Sequence, residues 1–162
     1  MTKEKKPPQH KATHQGKLKI GGITIPCAVL ENKERVISVR GVANALGTKG
    51  GGAYWKLKKA GKQTLPEFIS AQALAPYIKD ENNEIISGTV SYITKNEKAA
   101  VGLRADILPK ICDIWIRALN DGVLSTNQRK IARVAYILMS AFAKLGITAL
   151  IDEATGYQKD KD

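Results

Sequence analysis

Residues 47–59 read "GTKGGGAYWKLKK": four glycines and a lysine, then an aromatic pair and three more lysines. Each residue type suits a phosphate-bearing ligand. Glycine backbone N–H groups approach phosphate closely, lysines neutralise it, and aromatic rings stack on bases. Two chemistries are therefore open, a nucleotide cradle and a grip on a nucleic-acid backbone, beside a third reading as a solvated connector. A nucleotide loop follows a buried strand and ends in Gly-Lys-Ser/Thr at the start of a helix. Here Thr48 and Lys49 come before the glycines, and Ala53-Tyr54-Trp55 occupies the place of that ending. The nucleotide cradle fails on order.

The cluster behind the glycines favours the grip. Lys49, Lys56, Lys58, Lys59 and Lys62 fall within fourteen residues, with Arg40 upstream. Gly50, Gly51 and Gly52 are the segment that can approach phosphate. Lysines act as point charges on phosphates, whereas arginine forks read base edges, so this composition suits backbone attachment. Trp55 is weighed first as a packing residue and only then as a base contact.

Other chemistry is excluded residue by residue. His10 and His14 are the only histidines and both precede the first apolar pattern, which removes histidine triads and histidine metal sites. Cys27 and Cys112 stand far apart in apolar runs and read as reduced core cysteines. Asp152 and Glu153 are adjacent on a helix and diverge by roughly 100°, so they do not converge on one substrate atom. No catalytic residue, metal or cofactor is expected, and the chain is read as a non-enzyme.

Charge distribution agrees. Residues 1–60 carry 13 Lys/Arg against 3 Asp/Glu, and residues 61–162 carry 13 against 12, so the net charge of +11 is almost wholly N-terminal. A field this lopsided points to polyanions, nucleic acid first and anionic membrane second, and double-stranded DNA is the expected partner. The longest apolar run, "VAYILMSAFA" (134–143), lies between Arg133 and Lys144 and is about half a bilayer span, so no membrane insertion is expected.

The elements that must hold these residues follow from periodicity. Residues 1–16 have nothing to bury and read as a disordered basic tail. "KLKIGG" and "ITIPCAVLEN" are strands about a Gly21-Gly22 turn, "ERVIS" is a third, and "EIISGTVSYIT" with "KAAVGLR" forms a second hairpin. Pro26 inside the second strand calls for an edge or a bulge. Ser38 caps a short helix, "VRGVANAL", closed by Gly47. "LPEFISAQALAPYI" supplies further short helical turns.

In "ADILPKICDIWIRALN", Asp106, Lys110, Asp113, Arg117 and Asn120 trace a polar stripe opposite Leu108, Ile111, Cys112, Trp115 and Leu119. Ser125 with Gln128, or Thr126, caps the next helix, running to about Leu145, with a narrow polar stripe that predicts burial on most sides. "TALIDEAT" is a last short helix, with Gly156 as cap and Tyr157 packing back. The expected fold is α+β. An N-terminal antiparallel sheet with short helices (17–104) packs on two long helices and a short one (105–158), with 159–162 as a tail. Excess apolar surface at Ile116, Ile131, Ile137, Leu138 and Phe142 predicts a homo-oligomer interface.

Two resemblances can be read from these segments. "ISVRGVANALG" is similar to a strand-then-helix segment of Bro-N type domains in phage antirepressors. The ordered set "GKLKIGGITIPCAVLENKERVISVRGVANALG", "KGGG", "GLRADILPKICDIWIRA", "GVL" and "GITALIDEATGYQ" resembles the P-sixty-three-C domain family of phage and mobile-element proteins, over Lys17 to Gln158. That resemblance implies a phage-related, non-catalytic protein in the cytoplasm of a bacterial host. With the charge pattern it predicts a DNA-binding transcriptional regulator. The alternative is a protein–protein interaction or oligomerisation module without nucleic-acid binding.

Overall fold

Strand β1 (His10–Ile20) alternates around "KLKI", with Leu18 and Ile20 turned inward and Lys17 and Lys19 turned to solvent. The computed structural model describes residues 10–48, 65–79 and 82–157. Gly21 and Gly22 both take positive φ (57° and 77°), the conformation that a two-residue hairpin turn requires, and β2 (Ile23–Leu30) returns antiparallel to β1. β3 (Arg35–Ser38) pairs with β2 and then with β5 (Ala99–Arg104), which forms a hairpin with β4 (Thr89–Ile93).

The strand order β1-β2-β3-β5-β4 closes into a barrel. Five strands cannot alternate direction all the way round. The one parallel pairing is the seam, His10 against Tyr92 and Lys11 against Ile93. Strand-face alternation sends Ala12, Ala28, Leu30, Val36 and Tyr92 into the lumen. The opposite face carries Ile20, Ile25, Ile37 and Leu103 into the main core beneath the helices.

Pro26 sits one residue outside the stretch of β2 (Cys27–Val29) that pairs with β3. Its missing N–H therefore leaves no gap on that side. α1 (Val39–Leu46) starts there, with Ser38 Oγ accepting from Gly41 N at 3.0 Å and Gly47 closing it in the left-handed conformation. Gly41 packs on Pro26 and Ile25, so closely that a Cβ would lie 2.8 Å from Pro26 Cδ.

After the basic stretch, short 3₁₀ turns at Glu67–Ile69 and Gln72–Leu74 lead into α2 (Ala75–Ile78) and α3 (Asn82–Ser87). Phe68, Ile69, Leu74, Ile78 and Ile85 are all buried. α4 (Ile107–Asn120) buries Leu108, Ile111, Cys112 and Trp115 and keeps the Asp113–Arg117 pair at 3.0 Å on its polar stripe. Lys110 reaches back to Glu84 at 2.6 Å.

The α+β fold class is as the sequence predicts, and four local expectations change. Glu84–Ser87, expected as the start of the second hairpin, form the end of α3, and the strand begins only at Thr89. Residues 10–16 belong to β1 and are not tail, because pairing with β2 and with Tyr92–Ile93 satisfies a backbone whose side chains bury only Ala12. The helices expected at 126–145 and at "TALIDEAT" are one helix, α5 (Thr126–Thr155), about 45 Å long. Gly146 does not break it, since a lone interior glycine costs only about 1 kcal/mol among good helix formers. α5 is also far from buried on most sides: Ala132, Ala135 and Leu138 are its only buried residues.

Candidate nucleic-acid interface

Two described anchors bracket the basic stretch in sequence. Upstream, Gly47 caps α1, and Thr48 donates from both N (2.9 Å) and Oγ1 (3.1 Å) to the Ala43 carbonyl. Downstream, Pro66 and Phe68 are buried, and Trp115 Nε1 donates to the Phe68 carbonyl at 3.1 Å. Lys49, Gly50, Gly51, Gly52, Lys56, Lys58, Lys59 and Lys62 themselves lie outside the described residues.

Arg40 is exposed on the first turn of α1. Its neighbour Gly41 packs on Pro26, and Pro26 is the register partner of Lys17 on β1. Lys19 pairs with Thr24 one step along. The face of β2 that carries Ala28 and Leu30 into the lumen carries Thr24 and Pro26 beyond its mouth, alongside Lys17 and Lys19. The β4–β5 turn joins the same rim, since Lys95 N donates to Gln15 Oε1 at 2.6 Å. Lys17, Lys19 and Lys95 are all exposed.

Thus α1, the β1–β2 hairpin and the β4–β5 turn bring Arg40 and three lysines to one end of the barrel, while the glycine-rich stretch follows the other end of α1, after Gly47 and Thr48. No acidic residue occurs between His10 and Leu30 or between Arg35 and Thr48. Glu31 lies at the far end of the hairpin, against His10 at 3.4 Å. Exposed lysines can exchange counterions for phosphates.

Lys17, Lys19 and Lys95 were not singled out from the sequence. The available signal was the alternation in "KLKI", which places every second side chain in solvent. A second cationic place, a cleft lined by Glu34, Arg35, Arg104 and Asp106, is different in kind. Arg104 Nε is 3.5 Å from Asp106 Oδ1 and makes no hydrogen bond, and carboxylates balance the arginines there.

Cys112 is buried in the core, whereas Cys27, also expected there, is only half-buried. Burial pushes the Cys112 thiol up to about 12, which leaves it protonated and inert at neutral pH. Among the described residues no three His, Cys, Asp or Glu side chains come together as a metal site.

The residues expected at an oligomer interface divide. Leu138 is fully buried in this chain's own core and is withdrawn, because it packs beneath α5 with Ala132 and Ala135. Ile131 and Phe142 are half-buried against that core, and Ile116 is half-buried on α4. Ile137 is 47% exposed, and its Cγ2 seats the β1–β2 turn, 2.9 Å from where a Gly21 Cβ would stand. Tyr157 is exposed and does not fold back. The apolar run beginning at Val134 extends past Lys144. As a result α5 is long and apolar enough to cross a membrane, with an eighteen-residue window of mean hydropathy 1.9 that is only 11% buried.

Compared with known proteins, the chain matches no family model, no curated protein and no solved structure.

Proposed function

We propose that this chain is a non-catalytic DNA-binding regulator that holds the duplex backbone with the lysine-rich end of its barrel. The supporting observation is that Arg40, Lys17, Lys19 and Lys95 stand exposed at one end of the barrel, in a chain whose sequence adds further lysines in "GTKGGGAYWKLKK" after α1. A lysine-rich surface of this kind attaches to phosphate without reading bases, so sequence preference must come from elsewhere or be slight. The phage or mobile-element context, and with it a bacterial cytoplasm, rests on the resemblance of "ISVRGVANALG" and "GITALIDEATGYQ".

The test is a salt titration of binding to random duplex DNA by fluorescence anisotropy. A log–log slope of roughly −4 or steeper supports the reading, since each neutralised phosphate contributes about −0.9. No binding at low salt overturns it. The second reading, a protein–protein module, is favoured by one observation, the exposed apolar length of α5.

A further inference from the structure

From Ala143 onward α5 leaves the body of the protein. Every residue from Ala143 to Tyr157 is exposed except the half-buried Asp152. Leu145 (57%), Ile147 (55%), Leu150 (61%) and Ile151 (54%) are among them. A free helix of this length is marginal in water, and these four large aliphatic side chains stand exposed within about 9 Å along its axis.

We infer that this segment pairs antiparallel with the same segment of a second copy, crossing at Thr148. The inference does not rest on the DNA-binding reading. Its basis is the charge pattern. Between Val134 and Thr155 the only charged residues are Lys144, Asp152 and Glu153. Lys144 stands four residues before Thr148 and Asp152 four after. An antiparallel crossing at Thr148 therefore sets each Lys144 level with the other copy's Asp152, at both ends. A parallel pairing sets lysine against lysine and aspartate against aspartate. The pattern is self-complementary head to tail only, and the resulting two-fold contact is closed.

The seam has the spacing that such a pair needs. Ala141, Lys144, Thr148 and Ile151 recur at spacings of three, four and three, and a single charged seam residue fixes register at some expense of stability. The same crossing sets Thr155 level with Ala141, so each arm ends where the other copy's body begins.

A bilayer fits the segment poorly. Ala132, Ala135 and Leu138 lock the first half of α5 into the core, and the free half is shorter than the roughly 30 Å of hydrocarbon. Lys144 would also lie inside the span, where a charge is expensive.

Analytical ultracentrifugation of the full chain across micromolar concentrations tests this, with circular dichroism as the check on folding. The expected result is a monomer–dimer equilibrium. Ile147→Lys and Ile151→Lys, both at exposed positions, should each weaken it about 100-fold while the fold is kept. Lys144→Glu and Asp152→Lys should each weaken it about tenfold, and the two together should restore it. A single monomeric species at high micromolar concentration overturns the proposal. So do isoleucine variants that dimerise like the parent, or a monomer that floats with phosphatidylcholine vesicles. A charge swap that fails to restore association overturns the antiparallel register.

Discussion

Trp115 Nε1 donates a hydrogen bond to the Phe68 carbonyl at 3.1 Å, with both side chains buried. The bond ties α4 to the first turn that follows the basic stretch in sequence. The indole also fills a large volume among Ile111, Leu74 and Ile69 in the same cluster. Trp115→Phe should cost about 2–4 kcal/mol, from an unpaired buried carbonyl together with a cavity. Urea unfolding followed by circular dichroism reads this directly, and a loss under about 0.5 kcal/mol would show that the bond and the volume are dispensable.

A similar dependence holds in the barrel lumen. A Cβ on Gly102 would lie 2.9 Å from Val36 Cβ and 3.0 Å from Tyr92 Cε1. The backbone at Val36 cannot retreat without disturbing the β3–β5 ladder, whereas the Tyr92 ring can be shortened. Gly102→Ala should therefore destabilise by about 1–3 kcal/mol through overpacking. Combining it with Tyr92→Leu should cost less than the sum of the two single changes. Strict additivity in that double-mutant cycle would mean that the ring and the glycine do not share the space.

Alkaline pH gives a third test. Burial raises the Cys112 thiol to about 12 in the folded chain, above the usual thiol value near 9 that the unfolded chain should show. The raised folded value means that the stability this thiol supports is fully present below about pH 9 and is lost as pH climbs from there toward 12. The slope should be roughly 1.4 kcal/mol per pH unit. Lysines and tyrosines titrate in the same range, so the quantity to measure is the difference between the parent and Cys112→Ala at pH 8 and pH 10. An equal loss in both would remove Cys112 from the account.

The legible parts of this fold were those with local signals. Ser38 and Gly47 bounded α1, Ser125 with Gln128 formed the capping box of α5, and Gly21-Gly22 made its turn, because each feature is decided within four residues. Barrel closure was not legible, since it depends on His10 and Lys11 meeting Tyr92 and Ile93 some eighty residues away. Residues 10–16 looked like tail for the same reason: their strand is held by backbone pairing and offers little apolar pattern. α5 runs on past the end expected at about Leu145 because Gly146 keeps helical geometry and no αL residue stands there. At the site, the lysine cluster was evident from composition. Lys17 and Lys19 joined it only once register placed them beside Pro26 and Arg40.

That register separates two contributions to DNA binding. Lys17, Lys19 and Arg40 sit on rigid elements at the barrel mouth, while Lys56, Lys58 and Lys59 belong to the stretch beyond Thr48, outside the described residues. If both groups contact phosphates, Lys56→Ala, Lys58→Ala and Lys59→Ala together should reduce the log–log salt slope by about three, and Lys17→Ala with Lys19→Ala by about two. Affinity should fall about equally on all duplex sequences, because lysine–phosphate contacts carry no base information. Long exposed lysines rarely carry stability, so both variants should unfold within about 0.5 kcal/mol of the parent. Anisotropy titrations of the two variants at several salt concentrations decide between three outcomes. Loss in both places the duplex across the mouth and the basic stretch together. Loss in the triple variant alone confines the grip to that stretch. Parental affinity and slope in both make the basic end a solvated face, and the protein–protein reading then replaces the DNA-binding one.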